Sequence, residues 1–357
     1  MKKKKIAVLV SGGVDSSVAL ALLKEQGHEL EAFYLKIWLE DELSYLGDCP
    51  WEQDLSYARQ VCDQLDVPLH VVSMQQMYHE RVVAYLLDEV KQGRTPNPDV
   101  LCNQQIKFGA FFDTIDDSYD YVASGHYAQV EHTATGSILR KGKDPVKDQT
   151  YFLSYLSQQQ LSRILFPVGQ YHKSEIRELA KQFNLPTQAR KDSQGICFLG
   201  KFQFSDFLKA HLGTKQGDIV EHETGKVLGQ HNGFWFFTIG QRQGLGLSGG
   251  PWYVVSKDAE TNTVFISRDY HDVTQHKSGM IVQKYNWFNH HPSGVHTLDV
   301  RFRHGPDVHA ATVTVAQDGT VQIMLKQESK QGIAVGQFAV LYDGDICLGG
   351  GIIEKAL

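Results

Sequence analysis

Three groups of side chains in this 357-residue chain have types and spacing suited to chemistry. The first is Ser11-Gly12-Gly13-Val14-Asp15-Ser16-Ser17. An apolar run at residues 6–10 precedes it and residues 18–23 continue it, so a buried strand, a tight turn and a helix ending near Gly27 are expected. Backbone N–H groups converge in such a turn, and the helix N-terminus adds partial positive charge, which suits a phosphate. Neither G-x-x-x-x-G-K-[ST] nor G-x-G-x-x-G is present. Asp15 or Ser16 acting only as a helix cap is the plainer alternative.

The second group is Arg94-Thr95-Pro96-Asn97-Pro98-Asp99-Val100-Leu101-Cys102-Asn103. Two prolines fix the approach to Cys102, Asp99 stands three residues before it, and residues 104–112 look helical. A thiol just ahead of a helix can have its pKa lowered; a purely structural turn fits the spacing equally well. The third is Lys191-Asp192-Ser193-Gln194-Gly195-Ile196-Cys197-Phe198, a polar, glycine-bearing loop around a second Cys. Ser124-Gly125-His126-Tyr127 follows a strand end, where Gly125 lets a ligand approach the backbone. His126 could act on a substrate or cap a loop. Lys147-Asp148-Gln149-Thr150-Tyr151-Phe152 is a charged turn ahead of an apolar run, and equally a solvated helix start.

Alternating elements must position these groups. Residues 30–38, 68–74 and 121–128 read as further strands. Leu55, Ala58, Cys62 and Leu65 recur at helical spacing, which makes Cys62 a core residue, and residues 82–90 and 174–185 read as helices, the latter capped by Ser174. This predicts an α/β domain with a mostly parallel sheet, helices on both faces and ligands at the strands' carboxyl ends. After a helix at 202–211, short strands follow at 218–220, 226–228, 234–239, 252–255 and 263–266, with a glycine-rich loop at 244–250. From residue 279 the alternation sharpens into a small antiparallel β-barrel, with Asp318-Gly319 and Asp343-Gly344 as type I′ hairpin signals. Arg301, Arg303 and His304 give it a basic face, an RNA contact or a solvated strand. The expected domains are 1–200, 201–278 and 279–357.

Hydrophobic content of 42%, charge of 21% and a net charge of −6 are those of an ordinary globular protein, and leave any RNA contact to local basic patches. The five cysteines, Cys49, Cys62, Cys102, Cys197 and Cys347, are too scattered for a disulfide scaffold or a zinc C-x-x-C pattern. The acidic loop at 40–54, with Cys49 and Trp51, reads as solvated. The basic run at 2–5 lacks the apolar stretch of a signal peptide, and no stretch is long enough to span a membrane, so a cytoplasmic location is expected.

The pattern S-G-G-x-D-S resembles the pyrophosphate loop of the N-type ATP pyrophosphatases. All the quoted motifs together, with T-I-G-Q-R at 238–242 and C-L-G-G-G-I-I at 347–353, resemble in type and order the bacterial tRNA-specific 2-thiouridylases. The resemblance implies an ATP-binding N-terminal domain, a linking middle domain and a C-terminal barrel. It implies that ATP, with Mg²⁺, adenylates the C2 oxygen of the wobble uridine in tRNAs for Lys, Glu and Gln. A sulfur supplied by a cysteine desulfurase or a sulfur-relay protein then replaces that oxygen. Cys102 would be the nucleophile, Cys197 the persulfide carrier, and Asp99 an acid/base. A transient Cys102–Cys197 disulfide would form if hydrosulfide is released; direct attack by the persulfide is the other route.

By the same resemblance, Leu9, Val10, Ser11, Gly12, Gly13, Val14, Asp15, Ser16, Leu35 and Gly125 bind the nucleotide. Asn97, Pro98, Asp99, His126, Lys147, Asp148, Gln149, Arg301, Phe302, Arg303 and Gln337 fall in regions that meet tRNA. The family usually has Gly-Met where Leu9-Val10 stand, and Met where Leu35 stands. Two other readings fit the first motif alone: an ATP-dependent ligase acting on a small substrate, and a non-catalytic tRNA-binding protein that keeps ATP as a structural ligand. The two cysteine motifs weigh against both.

Overall fold

The computed structural model describes residues 3–37, 51–191, 203–269, 278–289, 293–327 and 332–357. Cys49 and Cys197 lie outside the described residues, as do residues 38–50 and 192–202; of the loop expected at 40–54, residues 51–54 instead open the helix Trp51–Leu65.

The N-terminal sheet is wholly parallel. Its strands are β1 (Lys5–Leu9), β2 (Glu29–Lys36), β3 (Leu69–Ser73), β4 (Tyr121–Ala123) and, after a hairpin described below, β7 (Ile164–Leu165), in the order β3-β2-β1-β4-β7. The chain winds one way from β1 to β3 and then returns to the other side of β1. That reversal opens a crevice at the carboxyl ends of β1 and β4, where doubly wound sheets bind ligands. β1 is buried on both faces: Ile6 and Val8 join one apolar core, Ala7 and Leu9 the other. The first core packs the helices Val14–Glu25, Trp51–Leu65 and Lys173–Gln182. The second packs the helical segments His79–Val83, Ala84–Lys91 and Cys102–Ala110 and runs on into the C-terminal region through Phe338, Val340 and Tyr342.

The strand expected at 121–128 is two strands. The chain turns at residues 124–127 and re-enters as the hairpin β5 (Ala128–Thr133) and β6 (Gly136–Lys141). The helix expected to be capped by Ser174 begins at Lys173, with His172 as N-cap and the His172 N–H donating to Glu175 Oε2 at 2.6 Å.

After the helix Phe204–Leu212, β8 (Gly217–Glu221), β9 (Val227–His231), β10 (Tyr253–Asp258) and β11 (Thr263–Ser267) form a small mixed sheet. The strand expected at 234–239 is instead a short 3₁₀ turn, Phe234–Phe236, because Phe234 and Phe237 plug the core of this sheet.

The remaining strands are β12 (Gly279–Trp287), β13 (Gly294–Arg301), β14 (His309–Val315), β15 (Val321–Leu325), β16 (Phe338–Asp343) and β17 (Ile346–Ala356). They pair in the order β12-β15-β14-β13-β16-β17, and β12 pairs back to β17, which closes a six-stranded antiparallel barrel. The hairpin turns are not type I′, which needs left-handed backbone at both central residues. Only Gly319 (φ +84°) and Gly344 (φ +59°) are left-handed there. Where β12 leaves the start of β17 open, β6 pairs with it through Ile346 and Cys347, so the N-terminal hairpin extends the barrel wall. No helix among the described residues is long and apolar enough to cross a membrane.

Candidate active site

Residues 11–13 leave β1 at the crevice. Gly12 has φ +71°, and a Cβ there would lie 2.2 Å from the Asp54 carbonyl oxygen, so only glycine fits. Gly13 is the N-cap of Val14–Glu25 and no side chain caps that end. Neither Asp15 nor Ser16 therefore serves as the simple cap. Ser16 Oγ instead accepts from the Ser11 N–H at 3.2 Å and donates to the Gly13 carbonyl, which folds the turn on itself. From the other side of the crevice, a Cβ on Gly125 would sit 2.6 Å from the Ser16 nitrogen. Two backbones thus meet over an uncapped helix N-terminus, a geometry that suits an anion.

Two cations from distant sequence flank this turn. Lys173 Nζ donates to Asp15 Oδ1 at 2.7 Å, as does Tyr127 Oη at 2.7 Å. Arg190 donates to the Gly12 carbonyl and to Asp54 Oδ1, both at 2.6 Å. Sequence reasoning missed Lys173, Arg190 and Asp54, which lie in no quoted motif; Tyr127 lies in one, but its hydroxyl went unassigned.

Cys102 was expected just ahead of a helix, where either a lowered thiol pKa or a purely structural turn would fit, and the structure corrects its place. The helix already starts at Pro98, capped by Asn97 Oδ1, which accepts from the Val100 N–H at 3.4 Å. Pro98–Leu101 runs on without a break into a wider π-helical stretch, Cys102–Ala110. Cys102 is therefore inside a helix, 1% exposed. Burial pushes its thiol up to about 11; Lys107 pulls it down, and Asp99 pushes it further up. Asp99 Oδ1 is buried without a hydrogen-bond partner.

The imidazole of His126 ties the two halves together. Its neighbour Gly125 lies against the pyrophosphate-type loop, while its ring packs on Phe108 and Phe166 and its Nδ1 pairs with Ser124 Oγ at 2.7 Å. Burial, and then the charge of Lys107, hold its pKa well below 6.5, so it is neutral at pH 7. Lys107 acts electrostatically on both Cys102 and His126. Leu35 packs against the same core as Cys102.

Residues 4–201 match the family described as tRNA methyl transferase HUP domain, residues 205–268 its PRC-barrel domain, and residues 277–353 the Aminomethyltransferase beta-barrel domain. The chain is 44% identical over 354 residues to the tRNA-specific 2-thiouridylase MnmA of Parabacteroides distasonis, covering 98% of both chains. It is 44% identical to MnmA 1 of Bacteroides thetaiotaomicron, covering 98% of this chain and 99% of that one. It is 42% identical to MnmA of Porphyromonas gingivalis, again covering 98% and 99%. The chain belongs to the tRNA-specific 2-thiouridylase family.

The positions that the 2-thiouridylase resemblance assigns to tRNA are not all at the surface. Arg301 and Phe302 are 4% and 1% exposed, so the expected basic face narrows to Arg303 and His304. Arg301 forms a buried ion pair with Asp148, and Asp148 also accepts from the Gly142 N–H and from Thr150 Oγ1, each at 2.8 Å. Gln149 Oε1 accepts from the Tyr127 N–H at 2.9 Å, which ties residues 147–149 to the 124–127 turn. Arg303 donates to the Gly332 carbonyl, and the His304 ring packs at a tilt against Phe152, with ring centres 4.5 Å apart. Asn97 and Gln337 touch each other at 3.4 Å.

Proposed function

We propose that this chain is an ATP-dependent tRNA-uridine 2-sulfurtransferase acting on the wobble uridine, with residues 1–200 catalytic, 201–278 linking and 279–357 meeting tRNA. The observation that carries this reading is the switch-point crevice. In it Gly125 lies against the Ser16 nitrogen at an uncapped helix N-terminus, and the charge of Lys107 reaches both the neighbouring His126 and Cys102.

The turn at residues 11–16 would hold the pyrophosphate of ATP through backbone N–H groups, with Lys173 and Arg190 adding positive charge. Among the described residues no three His, Cys, Asp or Glu side chains gather to hold a metal. Mg²⁺ would neutralise the charge of the ATP phosphates, as it commonly does. The uridine C2 oxygen attacks the α-phosphorus, the α–β bridge breaks and pyrophosphate leaves. Asp99 takes the N3 proton. AMP on that oxygen makes it a leaving group.

In this reading Cys197 arrives as a persulfide loaded by a cysteine desulfurase or a sulfur-relay protein. The Cys102 thiolate attacks Cys197 Sγ, the inner sulfur of the persulfide; the Sγ–S bond breaks, the Cys102–Cys197 disulfide forms and the outer sulfur leaves as hydrosulfide. Hydrosulfide adds to C2, AMP departs with its electron pair, and the hydrosulfide proton ends on N3. A thiol then reduces the disulfide. The anticodon loop presents an unstacked base, which suits entry into the crevice. Tight binding would come from local cations such as Lys147 and Arg303 despite the acidic net charge, and would fall with salt. The reading places the enzyme in the cytoplasm, with tRNA, ATP and reduced thiols.

The test is incubation with unmodified tRNA, Mg-ATP, cysteine and a cysteine desulfurase, followed by mass spectrometry of the nucleosides. A sulfur-for-oxygen uridine that is lost in Cys197→Ser supports the reading. AMP and pyrophosphate without thiouridine would sink the sulfur-transfer half. A companion prediction concerns Gly125→Ala. Its methyl group would sit 2.6 Å from the Ser16 nitrogen, so the two backbones must part. A shift of this size is expected to lower tRNA-stimulated pyrophosphate release about 100-fold. A loss under about threefold would mean that the crevice does not hold the phosphates.

A further inference from the structure

We propose that Lys107 is a positioning residue for the Cys102 thiol, brought round to the thiol's side of the helix by the π-helical widening of residues 102–110, which Gln160 and Gly109 hold in place. The inference deepens the thiolation reading above and rests on it for its kinetic part only.

Lys107 stands five residues after Cys102. At 3.6 residues per turn an α-helix would set the two about 140° apart around its axis, on nearly opposite sides. The helix here is wider. Cys102–Ala110 is π-helical, and at its end the Phe111 N–H donates to the Ile106 carbonyl, five residues back, at 3.0 Å. A turn closed over five residues brings the fifth side chain back to the side of the first. Cys102 is buried in the apolar core and Lys107 is half-buried. The charge of Lys107 accordingly reaches the thiol. It also reaches His126, whose ring packs against Phe108, the next residue along.

A π-helical stretch is rare and usually confined to a single turn at a functional site. Two neighbours hold this longer one. Gln160, from the short helix Gln158–Leu161, donates from Nε2 to the Gln104 carbonyl at 2.8 Å and to the Phe108 carbonyl at 2.6 Å. Its Oε1 accepts from the Ser157 N–H at 2.8 Å, which fixes the amide from the other end. Gly109 is needed at the same place: a Cβ there would lie 2.5 Å from the Gln104 carbonyl oxygen and would push that carbonyl aside. The widened segment is thus built into the fold, and its effect is to change which side chains share a face. The charges that act on the thiol are Lys107, which favours the thiolate, and Asp99, which opposes it. The imidazoles of His126 and of His304, on which the charge of Asp99 acts, are held below their usual value by burial and are neutral at pH 8.

Lys107→Met removes the ammonium and keeps an apolar stem; Lys107→Arg keeps a cation. Alkylation of each cysteine by iodoacetamide is followed peptide by peptide at pH 8 without RNA or nucleotide, with buried Cys62 and Cys347 as internal references. The thiolate is the reacting form, so losing a favourable charge slows the reaction, whereas loosening the fold speeds it. Lys107→Met is expected to slow Cys102 alkylation about tenfold and Lys107→Arg to keep it within about threefold of wild type, with Cys62 and Cys347 unchanged in both. In a Gln160→Met background, Lys107→Met is expected to cost less than about twofold, because the cation has already left the thiol's side. Cys102 alkylation that is unchanged or faster in Lys107→Met would overturn the role of Lys107. Equal slowing in the two backgrounds would overturn the role of the widened turn. In thiolation assays at pH 8, Lys107→Met is expected to lower kcat about tenfold while KM for tRNA holds within about twofold, and Lys107→Arg to restore kcat. Unchanged alkylation with a raised KM would make Lys107 an RNA contact instead. If wild-type protein makes no thiouridine at all, the function reading fails, and the alkylation result still decides whether Lys107 acts on the thiol.

Discussion

Cys102→Ser is expected to lower thiouridine formation by at least about 1000-fold, while tRNA-stimulated pyrophosphate release stays within a few-fold of wild type. Serine fits the buried helical position, so the crevice and its anion site persist. What is lost is the thiolate, since a hydroxyl is scarcely nucleophilic at its own pKa. In the wild type, burial pushes the Cys102 thiol up to about 11. Below that value the thiolate fraction rises about tenfold per pH unit. Thiolation limited by Cys102 ionisation in this geometry is therefore expected to climb about tenfold per unit between pH 7 and 9, and a single-turnover pH profile reads this directly. A flat profile would mean that RNA docking moves Cys102 towards solvent or nearer Lys107 before it reacts. A Cys102→Ser variant that still made thiouridine would remove Cys102 from the chemistry altogether.

The distribution of readable and unreadable features follows the range of the interactions. Residues 11–17 were legible because a strand, two glycines and a helix start are local, and the crevice they form depends only on strand order. The barrel was legible from its alternation, as at Val313 and Val315, both of which face its core. Arg301 was not, because a charged residue on a strand normally reads as solvated, and its partner Asp148 is 153 residues away. Lys173 and Arg190 were missed for the same reason: they reach Asp15 and Gly12 from 158 and 178 residues away. The environment of Cys102 was misread by one helical turn. The decisive signal, Asn97 as cap followed by Pro98 at the first helical position, stood in the sequence and marks the true helix start.

Arg301→Met is expected to destabilise the fold by about 3–5 kcal/mol, read from urea unfolding. The guanidinium and the Asp148 carboxylate are 4% and 1% exposed. Removing the cation leaves a buried carboxylate held by the Gly142 N–H, Thr150 Oγ1 and the charge of Lys141. The pair itself is not an optimised source of stability, since Arg301 Nε is buried without a hydrogen-bond partner. Replacing both charges is therefore expected to recover most of the loss. Asp148→Asn combined with Arg301→Met should lie within about 2 kcal/mol of wild type. Equal losses in the single and double variants would show that Arg301 acts through its packing on Tyr342, 5.1 Å away, rather than through charge. What the pair contributes beyond stability is register. Asp148 sits on the segment whose neighbour Gln149 anchors Tyr127 beside the crevice, and Arg301 ends barrel strand β13. The ion pair thus ties the barrel to the segment that anchors the 124–127 turn, as the Gln337 hydrogen bonds tie it to residues 95 and 96.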